Sequence, residues 1–80
     1  MDDNMIKGIF SVLAEILDVK IERINLESSI ENTRGWDSLT TWQFIVGIEK
    51  KFDISVSLED AENFTSVEKV AKILREKYLK

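Results

Sequence analysis

One short stretch of the chain could take part in chemistry: residues 34–39, which read RGWDSL. Its glycine permits a tight turn, and Asp37 and Ser38 then place a carboxylate next to a hydroxyl. From Leu39 to Phe52 apolar residues recur every three or four positions, which predicts a helix. We therefore expect the Ser38 hydroxyl at the N-terminus of that helix. Free backbone N–H groups and the positive end of the helix macrodipole favour added negative charge there.

A simpler interpretation of the Asp-Ser pair is that Asp37 or Ser38 only caps the helix, as most such pairs do. The rest of the chain argues for more than a cap. In a small acidic chain, a Gly-x-Asp-Ser-Leu turn opens a long amphipathic helix that ends Glu-Lys-Lys-Phe, and a Thr-Ser-Val cluster at residues 65–67 opens a final helix. Over nearly its whole length the sequence therefore resembles the acyl carrier proteins of the stand-alone bacterial kind.

The resemblance implies roles for individual residues. It implies that Ser38 is the attachment point of a covalent 4′-phosphopantetheine group, added by a phosphopantetheinyl transferase, and that Asp37 helps this transferase to bind magnesium and orient the hydroxyl. The thiol of the group would carry acyl intermediates as thioesters between a loading ligase and downstream acyl-processing enzymes, so the protein itself would not be an enzyme. Partner enzymes would contact Leu39, Gln43, Val46 and Glu49, and a slot for the acyl chain would be lined by Ile45, Ile48, Ala61 and Phe64.

The composition agrees with a carrier that has no catalytic side chains of its own. The 80 residues include no cysteine and no histidine, so the usual nucleophile, general base and metal ligands are missing, and we expect no metal site. A net charge of −4 without a basic stripe argues against nucleic-acid binding. No apolar run approaches the roughly 18 residues of a membrane span, and the first residues are acidic, unlike a signal peptide. We expect a cytoplasmic monomer with one carrier domain, residues 1–80.

The apolar pattern predicts an all-α fold, a small four-helix bundle with three main helices, one short helix and a long loop between helices I and II. Helix I carries an apolar stripe over residues 6–17, and helix II covers about residues 38–52. The short helix covers about residues 58–63. A Thr65–Glu68 capping box is expected to begin the last helix.

Several apolar side chains are expected to fix the loop and helix II. Ile24, Leu26 and Ile30 should hold the long loop, which could include a short helical turn, against the bundle. Trp36 and Trp42 should pack, Trp36 by sealing a loop against the core and Trp42 against the long loop.

The outer surface of helix II departs from the family pattern. That helix is usually acidic in the family, whereas here Lys50 and Lys51 follow Glu49 and the preceding polar residues are neutral. The departure favours a dedicated set of partners over ordinary fatty-acid synthesis. Phe44 and Val46 cannot share one face, so either one of them leaves apolar surface for a partner or the arm, or neighbouring segments cover both. The alternatives to an acyl carrier are an aminoacyl, D-alanyl or peptidyl carrier, and a helical interaction module that is never modified.

Overall fold

Helices form most of the computed structural model, which describes residues 3–79. The predicted domain also includes Met1, Asp2 and Lys80, which lie outside the described part. The all-α class, the four helices and the long loop between the first two are confirmed, and the loop includes a short 3-10 turn. In chain order the elements are α1 (Asp3–Leu17), the 3-10 turn (Ile21–Arg23), α2 (Ser38–Phe52), α3 (Leu58–Ala61) and α4 (Val67–Ile73), which continues as a wider π-helical turn (Leu74–Tyr78).

The predicted helix limits differ in accuracy. Those of α2 are confirmed at both ends. The short helix α3 ends at Ala61, two residues before the predicted Asn63. Ser57 begins it by accepting the Asp60 N–H at 3.1 Å. Phe64, which follows α3, is fully buried and fixes the connection to α4 in the core.

Helix α4 is capped one residue later than its predicted capping box. The Thr65–Glu68 prediction is wrong because Ser66 is the cap, with its Oγ accepting the Lys69 N–H at 3.1 Å. The Thr65 carbonyl instead accepts the Ile30 N–H at 2.9 Å. Thr65 therefore belongs to the contact between the long loop and the bundle, and the next hydroxyl satisfies the first turn of α4.

The hydrophobic core forms where α1 and α4 pack together with one face of α2. Phe44 and Ile48, four residues apart in α2, are both fully buried, as expected for one helical face. Trp42 lies on the opposite side with 63% of its surface exposed, so the prediction that it packs against the long loop is wrong. The largest fully buried side chains are Phe44, Phe64, Ile9, Leu13, Ile48, Leu74, Val67 and Val70.

Helices α1 and α2 pack closely against each other at Gly47. A Cβ added there would lie 2.6 Å from the Val12 Cγ1 atom, closer than two carbon atoms can come without displacement. Gly47 therefore marks a close approach between the two helices. The absence of a side chain therefore sets the distance between α1 and the helix that carries the candidate site.

The long loop is held against the bundle by backbone hydrogen bonds as well as by apolar side chains. Ile24 is buried and Ile30 is half-buried, as predicted, whereas Leu26 is 42% exposed and does not hold the loop. The Ser28 carbonyl accepts the Val67 N–H at 2.9 Å, next to an antiparallel bridge between residues 29 and 66. The loop therefore reaches the start of α2 as a fixed segment.

Candidate functional site

Ser38 is the first residue of α2, and its side chain is exposed to solvent. Within residues 3–79 its hydroxyl has no hydrogen-bond partner. An enzyme can therefore reach the oxygen without breaking an existing contact. The position also favours a phosphate ester, because the start of a helix stabilises negative charge.

Asp37 performs the capping that either residue of the pair could have performed. Its backbone is extended, and its Oδ1 atom accepts the Thr40 N–H at 2.9 Å. That hydrogen bond is the main reason that the pKa of Asp37 lies below its ordinary value, so the side chain is a carboxylate at neutral pH. Because the aspartate caps α2, the serine hydroxyl is left for another use.

Two threonines fix the turn that precedes Ser38. The Thr40 hydroxyl donates to the Gly35 carbonyl at 2.9 Å, and the Thr41 hydroxyl donates to the Asp37 carbonyl at 3.0 Å. Gly35 itself has φ of +88°, a left-handed conformation that favours glycine. These contacts of the two threonines were not predicted from the sequence. The available signal was a pair of hydroxyls three and four positions after a capping aspartate.

Trp36 anchors the same turn from the other side. It is 4% exposed, and its Nε1–H donates to the Thr41 hydroxyl at 2.9 Å. Its ring meets Phe44 edge to face at a centroid distance of 5.6 Å, and Phe44 meets Phe64 at 5.9 Å. The prediction that Trp36 seals a loop against the core is confirmed. Three aromatic rings thus connect the residue before Asp37 to the centre of the bundle.

The outer face of α2, which we define as Leu39, Trp42, Gln43 and Val46, follows Ser38 along the helix. Leu39 is 66% exposed, Gln43 is exposed, and Val46 is half-buried. The spacing of these four residues places them on one side of the helix. All of them except Trp42 are among the residues that we expect partners to contact.

Glu49, the fourth expected partner contact, has a structural neighbour. Its Oε2 atom accepts the Val56 N–H at 2.8 Å, across the turn that follows α2. The side chain is half-buried. Its carboxylate therefore holds the connector between α2 and α3 in place.

Of the four residues expected to line an acyl slot, three belong to the hydrophobic core and the fourth packs against it. Ile48 and Phe64 are fully buried, Ile45 is 8% exposed, and Ala61 packs against the same cluster. The structure thus brings together α2 and the segment around α3. An acyl chain would enter this region only if these side chains moved apart.

A second polar cluster, centred on Asp60, was not predicted from the sequence. Asp60 is buried, and its carboxylate accepts from Lys77 Nζ at 2.8 Å, from the Tyr78 hydroxyl at 2.7 Å and from the Ser57 hydroxyl at 3.1 Å. The hydrogen bond from Lys77, followed by that from Tyr78, holds the pKa of Asp60 below its ordinary value. The cluster ties α3 to the last turn of the chain, which lies 17 residues further on.

The start of α2 fits a phosphopantetheine group better than a metal ion. It presents one exposed hydroxyl at a helix end, and the adjacent carboxylate already has a backbone partner. In the described part of the chain, no three acidic, histidine or cysteine side chains are placed to share a metal. Over the same residues, no helix has the length and apolar character needed to cross a bilayer.

Comparison with known proteins agrees with this geometry. Residues 7–74 match the family model described as "Phosphopantetheine attachment site". The chain is 36% identical over 77 residues to the acyl carrier protein of Buchnera aphidicola subsp. Acyrthosiphon pisum (strain Tuc7), covering 96% of each chain. It is 37% identical over 67 residues to that of Buchnera aphidicola subsp. Schizaphis graminum (strain Sg), covering 84% of this chain and 85% of the relative. The chain therefore belongs to the acyl carrier protein family.

Proposed function

We propose that this protein carries acyl groups on 4′-phosphopantetheine attached to Ser38. The observation that carries the proposal is the exposed Ser38 hydroxyl at the start of α2, which has no hydrogen-bond partner among residues 3–79 and lies next to a carboxylate that already caps the helix. The family match supports the group, and the geometry supports the residue. The group supplies, when bound, a terminal thiol that holds acyl cargo as a thioester.

The residues around Ser38 have separate tasks in this proposal. Ser38 supplies the nucleophilic oxygen that a phosphopantetheinyl transferase joins to the phosphate of the group. Asp37 caps α2 by accepting the Thr40 N–H, and it presents a negative charge beside the Ser38 oxygen, where the transferase brings magnesium. Trp36 and the two threonines keep the turn rigid, which lowers the entropy lost when the transferase binds.

Carrier function also requires weak, reversible docking to several enzymes. We propose that a loading ligase and downstream acyl-processing enzymes contact the α2 outer face. We also propose that the carrier is a cytoplasmic monomer with a single domain and that it has no catalytic activity of its own. The first turn of α2 has no acidic residue, and its last turn has Lys50 and Lys51. This charge pattern favours a dedicated set of partners, with an acyl or aminoacyl cargo, over ordinary fatty-acid synthesis. Efficient acylation by generic fatty-acid synthase enzymes would count against the dedicated set.

The experiment that tests the attachment is intact-mass measurement of the purified protein after incubation with coenzyme A, magnesium and a broad-specificity phosphopantetheinyl transferase. We expect the mass to rise by one phosphopantetheine in the unaltered protein. The Ser38→Ala variant should gain nothing, whereas Ser55→Ala, which removes another exposed hydroxyl, should be modified like the unaltered protein. Absence of any gain, under conditions that modify a known carrier, would favour an unmodified interaction module instead.

A further inference from the structure

The long loop and the end of α1 form an open pocket of about 380 Å³, which we call the loop pocket. It shares no lining residue with the predicted acyl slot, and its volume is in the range of small-molecule sites. Three apolar side chains and two arginines are among its lining residues: Leu17, Val19, Ile24, Arg23 and Arg34. Within residues 3–79 neither guanidinium makes an ion pair or a side-chain hydrogen bond. The loop pocket therefore combines apolar surface with two positive charges that no nearby carboxylate neutralises.

Side-chain hydrogen bonds brace the loop that forms the pocket. Asn25 Oδ1 accepts the Glu27 N–H at 2.8 Å, and Asn32 Nδ2 donates to the Glu27 carbonyl at 2.9 Å. Asn32 Oδ1 also accepts the Ser29 N–H at 2.9 Å. Glu27 lines the pocket as well, but the brace holds its backbone and its side chain is exposed. Two arginines against one glutamate leave the lining net positive, in a loop whose shape is already fixed.

Ser28 adds a buried hydrogen-bond donor to the loop pocket. It is a lining residue and is 6% exposed. Its Oγ atom accepts the Asn25 N–H at 3.1 Å, whereas its own O–H donates to no acceptor within residues 3–79. A buried donor left unused is unfavourable, so an entering acceptor oxygen would be stabilised here. Guanidinium groups bind carboxylates through parallel, charge-assisted hydrogen bonds. The loop pocket therefore fits an organic anion with a short carbon chain.

The loop pocket lies close to the candidate attachment residue. Arg34 is four residues before Ser38, so their Cα atoms are at most about 14 Å apart. Gly35 lies next to the pocket wall, because a Cβ added there would be 3.6 Å from the Leu17 Cδ2 atom. An arm tethered at Ser38 keeps its free end at a high local concentration near this wall. The phosphate of the arm stays at Ser38, so the group that reaches the pocket is the cargo at the thiol end.

We infer that the loop pocket binds the free carboxylate of the cargo, and that the cargo is a dicarboxylic acyl group joined to the arm through its other carboxyl carbon. The inference rests on the proposed attachment at Ser38 and names the substrate class. The two arginines pair with the carboxylate, Ser28 donates a hydrogen bond to it, and the carbon chain packs on Leu17 and Ile24. A neutral acyl chain would leave both guanidinium groups and the buried hydroxyl without an acceptor.

The inference is tested by comparing two loaded forms of the protein. The broad-specificity transferase can load it from glutaryl-coenzyme A or from pentanoyl-coenzyme A, whose acyl chains have equal length and differ in the terminal carboxylate. Proton–nitrogen correlation NMR follows the side-chain Nε–H signals of Arg23 and Arg34, assigned with the Arg23→Gln and Arg34→Gln variants. We expect both signals to shift in the glutaryl form relative to the pentanoyl form. Identical signals in the two forms would overturn the inference and leave the attachment intact.

The reactivity of the thioester gives a second readout. The rate of cleavage by hydroxylamine, divided by the rate for the same acyl group on coenzyme A, should be about threefold lower for the glutaryl form than for the pentanoyl form. The double variant Arg23→Gln, Arg34→Gln should lose this difference. Both arginines are exposed, so circular dichroism should show an unchanged helix content. Lys20→Gln removes an exposed cation of the same loop that does not line the pocket, and this matched control should keep the difference.

The remaining outcomes separate this inference from the proposed function. A rate difference that survives in the double variant, or no difference in the unaltered protein, would overturn the loop pocket as a carboxylate site. An Arg34 signal that shifts as far on attachment of the arm alone would assign the pocket to the phosphate and also overturn the inference. If neither coenzyme A thioester loads the protein under conditions that load a known carrier, the attachment at Ser38 fails and the inference fails with it.

Discussion

The Trp36 indole meets the Phe44 ring edge to face, with ring centroids 5.6 Å apart and ring planes at 85°. One ring comes from the loop that leads into α2, and the other comes from the buried face of α2 itself. The contact therefore folds the loop back onto the helix that it precedes. Asp37 and Ser38, which follow Trp36 directly, are held at the helix start by this packing.

Trp36→Ala should destabilise the protein and slow its modification. Removing a buried tryptophan side chain typically costs about 3–5 kcal/mol, and the Thr41 hydroxyl also loses its donor here. Trp36→Phe keeps an aromatic ring against Phe44 and should cost less. Urea unfolding followed by circular dichroism measures both variants. A Trp36→Ala variant as stable as the unaltered protein would show that the aromatic contact does not fix the turn.

Asp37 allows capping to be separated from its proposed role in modification. Asparagine caps helices about as well as aspartate but has no charge, whereas alanine removes both properties. We expect Asp37→Asn to keep the thermal midpoint close to that of the unaltered protein, and Asp37→Ala to lower it. Both variants should be modified more slowly by the transferase, because each lacks the carboxylate beside Ser38. Modification of Asp37→Asn at the unaltered rate would confine Asp37 to capping.

Gly47→Ala should destabilise the contact between α1 and α2. Alanine is favoured over glycine within a helix by about 1 kcal/mol, but its Cβ would lie 2.6 Å from the Val12 Cγ1 atom. Overpacking of this kind typically costs about 1–3 kcal/mol, so the net free energy of unfolding should fall. Val12→Ala removes the clashing methyl group, and the double variant should be more stable than the sum of the single changes predicts. Additive effects in this cycle would show that the two positions do not contact each other.

The Asp60 cluster predicts how stability depends on pH. The folded pKa of Asp60 lies below its ordinary value of 3.8, so its contribution to stability is complete above that value and is lost as the pH falls through the folded pKa. The Lys77 pKa is raised by the same pair, so its contribution is complete below its ordinary value of 10.5 and is lost as the pH rises through the folded pKa. Stability should therefore be greatest between these limits.

Asp60→Asn tests that account. At neutral pH we expect it to lower the free energy of unfolding by about 1–3 kcal/mol, because a buried charged acceptor with three side-chain donors is replaced. The loss of stability on acidification from about pH 7 to pH 3 should be smaller in this variant than in the unaltered protein. Glu62→Gln, which removes an exposed carboxylate just after α3, is the control and should keep the full acid dependence. An equal acid dependence in Asp60→Asn would place the responsible group elsewhere.

The sequence predicts local features of this fold better than the contacts between distant segments. The start of α2 at Ser38 follows from a turn residue, a cap and an apolar period that are adjacent in the chain. The face that α2 buries does not follow, because apolar residues nearly surround the helix and Trp42 fits the period as well as Phe44. Only the position of the neighbouring helices decides between them, and it buries Phe44.

The same limit applies to the polar contacts. Asp60 and Lys77 are 17 residues apart, and no local pattern pairs them. Thr65 and Ser66 are both good caps; in the folded chain Ser66 is the cap, and the Thr65 carbonyl accepts the Ile30 N–H from the long loop. The position of Asp37 and Ser38 at the start of α2 was predictable because these residues are consecutive, whereas the threonine and tryptophan contacts that hold the turn required the folded chain.

The most direct test of the central claim is to locate the phosphopantetheine on the chain by mass spectrometry after transfer and trypsin digestion. Cleavage after Arg34 and Lys50 releases a peptide, residues 35–50, in which Ser38 is the only serine. We predict that this peptide gains the mass of one phosphopantetheine and that fragmentation assigns the group to Ser38. Attachment to Thr40 or Thr41, attachment in any other peptide, or an unmodified chain under conditions that load a known carrier would contradict the account.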